Sequence, residues 1–372
     1  MADGYDVVVV GGGLVGASLG YELATAGART LLVDRHDVGR ATDAGAGILS
    51  PETIAVDDDA WYALAVAAGE HYRALVPALV ATGADDVGYE ECGSLRVAFR
   101  EWDDDLFAST AAVIAARAGG VVQPVSDDEA RAMFPPLGPV RAALHNPRAA
   151  RVDGRMMTRA VLHGARARGV FRRTGSVTGV VCDGDRVVAV ETDRARVPCG
   201  AVVVAGGAWT PELGAQLGVE LPVAPMRGQI VHLRMDVGST ASWPILQPVL
   251  SYYAVPWPDG RVAVGGTMEP DAGFDVRVTA AGVHGLLSEI TQLAPGLGDA
   301  TLAEVRVGLR PVSVDDSPIL GALPGLANAF VATGHGANGL LLGPYSARLV
   351  ARAILGDPVP ELAPFSPIRF AE

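Results

Sequence analysis

The chain has 372 residues, a formal net charge of −13, 49% hydrophobic residues and a mean hydropathy of +0.29. This length predicts two joined domains, because single domains have roughly 100–200 residues. The acidic balance, without any Lys/Arg cluster, argues against a nucleic-acid partner, which requires a basic face. All 29 basic residues are arginine, so the lack of lysine excludes Schiff-base chemistry.

The sequence pattern gives no sign of membrane insertion, secretion or metal binding. No stretch approaches the about 18 consecutive apolar residues of a transmembrane helix, and the first predicted strand leaves no room for a signal peptide. The three cysteines lie far apart without a CxxC, and the seven histidines form no HxH or HExxH pattern. We therefore expect a cytoplasmic protein in a reducing compartment, without a metal site.

The stretch from Tyr5 to Asp34 has the pattern of a complete βαβ unit. An apolar run at residues 7–10 predicts a buried parallel strand, and the helical pattern that follows stops at Gly27. A second apolar run at residues 30–33 ends in Asp34. An acid at this position accepts hydrogen bonds from ribose hydroxyls and disfavours a 2′-phosphate, so the unit predicts FAD or NAD rather than NADP.

Three glycines between this strand and helix have the spacing of a dinucleotide-binding motif. Gly11 would let the strand turn sharply, Gly13 would let the backbone approach a pyrophosphate, and Gly16 would let helix and strand pack closely. The helix N-terminus then offers free N–H groups and a positive dipole end to the phosphates. Because a strand, a helix and a terminal acid accompany the glycines, we interpret the unit as a dinucleotide site rather than a structural turn.

A long loop of small residues follows at 35–51. This connection is short in a simple NAD-binding domain, so its composition favours a backbone that wraps a bulky ligand, with a flexible surface loop as the alternative. An apolar strand later runs into Gly206 and Trp209. It suggests a second approach of the backbone to the ligand, although an ordinary strand-to-turn connection explains it nearly as well.

The rest of the chain alternates between helical and β-like patterns, and from residue 225 the texture is that of antiparallel β structure. In order, the patterns predict a helix at 60–81, a strand at 89–99, a helix at 103–119, an irregular segment at 133–147, a helix at 151–170, three short strands within 177–203, a hairpin with its turn at 258–260, a helix at 279–293, a loop up to a strand at 329–332, and a closing helix that stops at Gly356.

The first βαβ unit and the last strand-turn-helix both place glycine-rich turns at strand ends, where a doubly wound sheet binds ligands. We therefore predict an α/β (α+β) two-domain protein, with a Rossmann-like doubly wound sheet and a second, antiparallel-β domain that covers the ligand. The predicted boundaries are 1–55, 148–224 and 305–372 for the nucleotide-binding domain and 56–147 and 225–304 for the substrate-binding domain.

Several segments along nearly the whole chain resemble the FAD-dependent D-amino acid oxidase superfamily, most closely its glycine oxidase and D-amino acid dehydrogenase branch. These segments are GGGLVG, ATDAGAGIL, AGGAW, RGQIV, YAVP, GGTMEPDAGFD, VGLRPVSVDDSPILG and ATGHGANGLLLGP. The resemblance implies an FAD that is held without a covalent bond.

The resemblance also implies which residues surround this FAD. They are Gly11, Gly13, Leu14, Val15 and Gly16 at the pyrophosphate turn, Asp34 and Arg35 at the adenosine, Ala41, Thr42, Ala46, Gly47 and Ile48 in the loop beside the flavin, Val177 at the adenine, Gly206 and Trp209 at the second glycine turn, and Gly334, His335, Gly336, Ala337, Asn338, Gly339, Leu340 and Leu341 at the turn that meets the pyrimidine edge. At this last turn, helix N–H groups would stabilise the negative charge of a reduced flavin.

Three residues match positions that contact the substrate in the superfamily. Arg310 in GLRP corresponds to the carboxylate-binding arginine, whose fork suits bidentate binding. Tyr253 in YAVP corresponds to the tyrosine whose hydroxyl helps to hold the carboxylate, and Met268 corresponds to a methionine of the pocket wall. Two positions depart from the glycine oxidase pattern. Ala337 replaces the second arginine of GHxRNG, and Ser251 stands where a histidine is frequent.

The implied reaction is the oxidative deamination of a D- or achiral amino acid. Hydride transfer from Cα to flavin N5 would give an imino acid, which hydrolyses to an oxo acid and ammonia, and O2 or another acceptor would reoxidise the flavin. Because Ala337 leaves space and removes a charge, we expect larger neutral substrates to be favoured over glycine and over acidic amino acids.

Other functions fit the sequence less well. A secondary-amine oxidase or dehydrogenase, acting on sarcosine or another N-alkyl amino acid, shares the same frame. A non-catalytic flavin-binding protein would not need Arg310 and Tyr253. An NAD dehydrogenase conflicts with the loop at 35–51 and with the C-terminal glycine turn. A homo-oligomer is compatible with the sequence.

Overall fold

The computed structural model describes residues 4–371. Its strands, in chain order, are β1 (Tyr5–Val10), β2 (Thr30–Asp34), β3 (Ile48–Leu49), β4 (Tyr89–Glu91), β5 (Ser94–Ala98), β6 (Gln123–Val125), β7 (Ala142–Asn146), β8 (Ala150–Val152), β9 (Phe171–Thr174), β10 (Val177–Asp183), β11 (Arg186–Thr192), β12 (Arg196–Val204), β13 (Val223–Arg234), β14 (Ile245–Pro248), β15 (Tyr253–Pro256), β16 (Arg261–Gly265), β17 (Thr301–Ser313), β18 (Ile319–Ala322) and β19 (Ala329–Thr333).

The helices connect and flank these strands. They are α1 (Leu14–Thr25), α2 (Ala41–Ala44), α3 (Asp59–Val80), α4 (Asp104–Arg117), α5 (Asp127–Met133), α6 (Gly154–Ala167), α7 (Thr210–Gln216), α8 (Ala280–Leu293) and α9 (Gly339–Ile354). Within residues 4–371, no helix combines the length and the apolar character needed to span a membrane.

The first sheet has the order β10-β11-β12-β1-β2-β9, and β19 also pairs with β12 and with β18. Its centre is parallel, since β1 pairs in parallel with β2 and β12, and β12 with β19. β1 sends Val7 and Val9 into one hydrophobic core and Val8 and Val10 into another on the opposite face. A strand that is buried on both faces has to be apolar throughout, which explains the unbroken valine run.

The first βαβ unit forms as predicted. α1 begins after Gly13, and the chain reverses at Gly27, whose φ of +89° suits glycine. The amide of Gly27 donates to Ala24 and the amide of Ala28 to Leu23, so the last carbonyls of the helix are satisfied.

The second sheet has the order β17-β13-β16-β15-β14-β5-β7-β6. One face packs on a hydrophobic core that includes Leu95, Leu246 and Ala254 together with residues of α8. The other face, which we call the inner face, carries Ile245, Val255 and the partly buried Tyr253. A small third sheet, in the order β3-β8-β4, contains the end of the loop that follows β2. The prediction of a doubly wound sheet with a second, largely antiparallel β region is therefore confirmed.

Four local predictions were wrong. The predicted strand at 89–99 is two strands in different sheets, because the chain turns at Gly93 with a φ of +74°. The segment at 133–147, predicted to be irregular, ends in β7, which pairs with β5 and β6. The helix predicted at 151–170 is preceded by β8 and begins only after Asp153, whose carboxylate caps it.

The fourth error concerns the segment before residue 329, which was predicted to be a loop. It contains β18 and, from residue 307, the second half of the long strand β17, which pairs with β13 from Thr301 to Ser313. Gly308 and Pro311 interrupt the sequence pattern of this strand, and the pairing along β13 overrides their low β propensity. β17 lies wholly in the second sheet, whereas the predicted boundaries divide it between domains. The boundaries themselves stay a prediction.

Candidate functional site

A cavity of about 350 Å³ lies between the carboxyl ends of the parallel strands and the inner face of the second sheet. Of the residues that the sequence singled out, those that line it are Gly11, Gly13, Leu14, Val15, Asp34, Arg35, Ala41, Thr42, Ala46, Gly47, Ile48, Val177, Gly206, Trp209, Tyr253, Arg310, His335, Gly336, Ala337, Asn338, Gly339, Leu340 and Leu341. Gly16, Gly334 and Met268 lie outside the lining.

The glycine turn after β1 allows close backbone packing at one end of the cavity. A Cβ at Gly11 would lie 2.3 Å from the carbonyl oxygen of Ala205, and Gly11 has a φ of +108°. A Cβ at Gly16 would lie 1.8 Å from the carbonyl oxygen of Gly11, so Gly16 acts through helix–strand packing. The N-terminus of α1 faces the cavity, where the amide of Leu14 donates to Thr42 Oγ1 at 3.2 Å.

Asp34 sits at the end of β2 with its carboxylate buried against Arg40 and His36. Its Oδ2 accepts a hydrogen bond from Arg40 Nη1 at 3.0 Å and lies 3.2 Å from His36 Nδ1. Arg35 pairs instead with Asp37 and Glu212, which also line the cavity. The sequence did not single out Arg40, which also lines the cavity. Its only signal was its position in the loop that follows Asp34.

The loop of small residues after β2 packs between the first helix and β17. A Cβ at Gly47 would lie 1.7 Å from the carbonyl oxygen of Val152, and Gly47 has a φ of +79°. The amide of Leu309 on β17 donates to the carbonyl oxygen of Gly39 at 2.8 Å. This loop therefore forms part of the cavity wall, and its wrapping of a bulky ligand stays a prediction.

The two later glycine turns meet at the far ends of β12 and β19. Gly207–Trp209 forms a 3-10 turn, and the hydroxyl of Thr333 on β19 donates to the carbonyl oxygen of Gly207 at 3.1 Å. The hydroxyl of Thr210 lies 3.1 Å from that of Thr333. The ring of Trp209 lies tilted against that of Phe274, in the segment that follows the second sheet's hairpin, with 5.5 Å between the ring centroids.

The C-terminal glycine turn buries an imidazole at the cavity wall. His335 is 4% exposed, and its Nε2 has no hydrogen-bond partner within residues 4–371. Burial lowers the pKa of His335 to about 4, so the ring is neutral at physiological pH. Gly334, with a φ of +73°, packs behind it against Ile319. A 3-10 turn at Gly336–Asn338 then leads into α9.

Arg310 and Tyr253 come together at the inner face of the second sheet. A Cβ at Gly266 would lie 2.9 Å from Arg310 Nη2 and 3.1 Å from Tyr253 Oη, so both groups meet where only glycine leaves room. Burial raises the pKa of Tyr253, and the nearby positive charge of Arg310 offsets part of that rise, so the hydroxyl stays protonated. Arg310 Nη1 donates to the carbonyl oxygen of Thr267 at 2.8 Å.

Met268 and Ser251 do not face this site. Thr267 turns inward and is 6% exposed, so the next residue turns outward and Met268 is 69% exposed. The prediction that Met268 forms a pocket wall was therefore wrong. The hydroxyl of Ser251 donates to Glu289 of α8 at 2.9 Å, away from the cavity lining.

A dinucleotide cofactor fits the residues around this cavity. Gly11, Gly12 and Gly13 line the cavity beside the N-terminus of α1, which is where a pyrophosphate would bind. Asp34 lies at the end of β2, where a ribose binds, and the unpartnered Nε2 of His335 offers a hydrogen bond to a polar ligand group. The described residues contain no group of three His, Cys, Asp or Glu placed to hold a metal ion.

The model of the DAO family, described as FAD dependent oxidoreductase, matches residues 6–353. The chain belongs to this family. As a DAO-family member it is an FAD-dependent oxidoreductase, and the resemblance in the sequence is confirmed.

Individual relatives cover almost the whole chain. A glycine oxidase of Pseudomonas aeruginosa is 35% identical over 375 residues, which cover 97% of this chain and 98% of that protein. The crystal structure of iminodiacetate oxidase from Chelativorans sp. BNC1 is 36% identical, with a TM-score of 0.92 and coverage of 97% and 98%. The crystal structure of glycine oxidase from Geobacillus kaustophilus is 30% identical, with a TM-score of 0.90 and the same coverage.

Proposed function

We propose that this DAO-family member catalyses the oxidative deamination of a D- or achiral amino acid, with a primary or a secondary amine. The observation that carries the proposal is the Arg310 guanidinium, which lines the cavity beside Tyr253. Within residues 4–371 no carboxylate lies within 4.0 Å of it. Arg310 is half-buried, and a guanidinium that is partly removed from water without a counter-ion favours an anionic ligand.

The chain's own residues would act mainly by positioning. Arg310 on β17 offers two N–H groups to a carboxylate, and the Tyr253 hydroxyl on β15 of the same sheet would donate a third hydrogen bond. Holding the carboxylate at these points fixes the Cα–H bond of the substrate in one orientation, which lowers the entropic part of the barrier. When bound, FAD would accept the Cα hydride, which carries the two electrons of the oxidation.

The wall formed by the loop at 41–48 and by the C-terminal glycine turn would exclude bulk water from the reacting atoms. The imino acid product would then react with water to give an oxo acid and ammonia, or a primary amine if the substrate was N-substituted. O2 or another acceptor would complete the cycle.

Secondary amines are a specific second class of substrate. Ala337 is exposed at the cavity, where an arginine would fill space. A structural neighbour with 36% identity is, by its name, an oxidase of iminodiacetate, which is a secondary amine. Both observations support a site that accepts an N-substituent.

The test is the anaerobic bleaching of the visible flavin absorption of the holoenzyme. The panel contains glycine, sarcosine, D-alanine, D-methionine and iminodiacetate, with L-alanine as the stereochemical control. We expect bleaching by at least one of the first five, followed by oxo acid formation in air or with an artificial dye acceptor. If no amino acid or amine bleaches the flavin, the proposal is wrong.

A further inference from the structure

A row of polar side chains crosses the inner face next to the carboxylate site. The register of β14 and β15 pairs Leu246 with Ala254, so the adjacent antiparallel pair is Gln247 and Tyr253. Gln247 also pairs with Arg96 of β5 in the parallel ladder. Directly opposite residues share one face of a sheet. We call Tyr253, Gln247 and Arg96 the polar row, and its outer Cα atoms are about 10 Å apart at the usual strand spacing.

Gln247 has hydrogen-bonding capacity to spare. Its side chain lines the cavity, and its one protein contact joins Oε1 to the hydroxyl of Thr53 at 3.5 Å, the outer limit of a hydrogen bond. Within the described residues, its amide N–H groups have no acceptor in the protein. These donors are therefore available to a ligand in the cavity.

Arg96 places a poorly compensated positive charge behind Gln247. Its Nη2 donates to the carbonyl oxygen of Thr53 at 2.9 Å, while its buried Nε has no acceptor among residues 4–371. In the same range, no carboxylate lies within 4.0 Å of the guanidinium. Burial lowers the pKa of Arg96 to about 10, so the group still carries its charge at neutral pH.

The segment at 50–54, whose Thr53 carbonyl oxygen accepts the hydrogen bond from Arg96, is itself part of the cavity wall. Ser50 and Ile54, on either side of Thr53, both line the cavity. The hydroxyl of Ser50 lies 3.2 Å from that of Ser94, which shares the inner face with Arg96. A positive charge behind this wall favours an anion in front of it, at the amide of Gln247.

We propose that Gln247, with Arg96 behind it, binds a second carboxylate of the substrate, while Arg310 and Tyr253 bind the first. This inference rests on the proposed function and narrows its substrate class to amino dicarboxylates. The second carboxylate can come from an N-substituent or from a side chain. Ala337 stands where the glycine oxidase pattern has a second arginine, and the lack of that charge argued against acidic substrates. Arg96 supplies a positive charge at a different point of the site.

The first experiment compares substrates that differ only by a carboxylate. The pairs are sarcosine with iminodiacetate, for the N-substituent, and D-alanine with D-aspartate, for the side chain. We expect kcat/KM to be at least about tenfold higher for the dicarboxylate in one pair, because a hydrogen bond to a charged group has that effect. Gln247→Leu and Arg96→Met should each reduce this ratio severalfold. A ratio of one or less in both pairs overturns the proposal.

The second experiment measures binding without turnover. Diglycolate and methoxyacetate are ether analogues of iminodiacetate and sarcosine and contain no oxidisable amine. Titration of the holoenzyme, followed by the flavin difference spectrum, should show tighter binding of diglycolate, and Gln247→Leu should abolish the preference. If the amines are not oxidised but diglycolate is preferred, the proposed function fails and the second carboxylate site stands. If glutarate replaces diglycolate and binds equally well, the site still stands.

Two matched variants control for unspecific effects on the second sheet. Gln123→Leu alters an exposed glutamine of β6, and Arg234→Met alters an exposed arginine of β13 that pairs with Asp259. Neither residue lines the cavity, so the preference for the second carboxylate should survive both changes. If these variants lose the preference as Gln247→Leu does, the effect is not local and the proposal is wrong. If Arg96→Met fails to fold, the loss or retention of the second-carboxylate preference in Gln247→Leu decides the proposal.

Discussion

Arg310 and Thr267 are joined by a hydrogen bond of 2.8 Å from the guanidinium Nη1 to the backbone carbonyl oxygen. The place of the guanidinium therefore depends on the segment after β16. Glu269 fixes that segment, since its Oε1 accepts from the Thr267 hydroxyl at 2.5 Å and from Gln229 Nε2 at 2.8 Å. Its Oε2 accepts from Arg227 at 2.6 Å. Glu269 is thus a positioning residue for Arg310.

Glu269→Gln should raise KM for amino acid substrates roughly three- to tenfold and change kcat less. The neutral amide weakens hydrogen bonds to a charged acceptor, each of which contributes about 1.5–3 kcal/mol, and only part of that loss reaches Arg310. Steady-state kinetics and titration with a carboxylate ligand measure the effect. Glu304→Gln is the matched control, because Glu304 pairs with Arg306 outside the cavity lining. A fall in kcat with unchanged KM would contradict this role.

Arg310→Leu should keep the bound flavin and lose most of the activity. Removal of a charge-assisted bidentate contact costs roughly 3–5 kcal/mol, so kcat/KM should fall by a factor on the order of 10² to 10³. Arg306→Leu, on the same strand, is the control and should retain the wild-type order of magnitude. Near-wild-type turnover by Arg310→Leu with an intact flavin spectrum would show that another group binds the carboxylate.

The nucleotide end of the site could be predicted from sequence because its chemistry is local. Gly11, Gly16 and Asp34 lie within one βαβ unit, and each has a backbone or side-chain requirement that few residues meet. Arg310 was identified through the resemblance, although the strand that carries it was not predicted.

The substrate end could not be predicted in the same way, because long-range pairing assembles it. Gln247 and Arg96 become neighbours only through the parallel pairing of β14 with β5, and no local pattern signals that register. Met268 was assigned to the pocket wall through the resemblance alone, and its exposed place in the segment after β16 had to be observed in the structure.

Ala337→Arg should shift the substrate preference towards small acids. Ala337 lines the cavity with an exposed methyl group, and an arginine there would fill space and add a positive charge. Without it, a larger substrate recovers binding at about 25 cal/mol per Å² of apolar surface buried. We expect D-methionine to exceed glycine in kcat/KM for the wild type, and the gap to narrow in the variant. An unchanged ranking, or glycine as the best wild-type substrate, would refute the argument.

The FAD should be released completely by acid precipitation. The cavity lining contains no cysteine, and the described lining includes one histidine, the buried and neutral His335. Burial also raises the pKa of the Cys92 thiol to about 11, so little thiolate is available there. All yellow colour should appear in the supernatant after trichloroacetic acid treatment. A yellow pellet that survives washing would demonstrate a covalent bond.

Stability should fall as the pH drops below about 6.5, in part because of His232. Burial, and then the nearby charge of Arg306, lower the pKa of this histidine from 6.5 to about 4. Between pH 4 and pH 6.5 the unfolded chain binds more protons at this histidine than the folded protein does. The free energy of unfolding therefore rises with pH, and the contribution of His232 to it is complete above pH 6.5. Burial also lowers the pKa values of His71 and His335 to about 4, so both histidines contribute to the same loss of stability at low pH.

His232→Leu should therefore lose less stability than the wild type between pH 6.5 and pH 4.5. One proton corresponds to at most about 1.4 kcal/mol per pH unit. Urea unfolding at several pH values, followed by tryptophan fluorescence, measures the slope. The exposed His284 of α8 provides the control substitution, His284→Leu. Equal slopes for wild type and His232→Leu would show that His232 is not the titrating group.

The hydrogen bond from the Leu309 amide to the carbonyl oxygen of Gly39 joins the loop after Asp34 to the strand that carries Arg310. Leu309 directly precedes Arg310 in the chain. This backbone hydrogen bond would therefore connect the ordering of the loop by FAD with the ordering of Arg310 by a carboxylate. Binding energies that share a structural element are coupled, and the coupling is reciprocal. A carboxylate ligand should accordingly slow the dissociation of FAD, so the substrate would help to retain the cofactor that oxidises it.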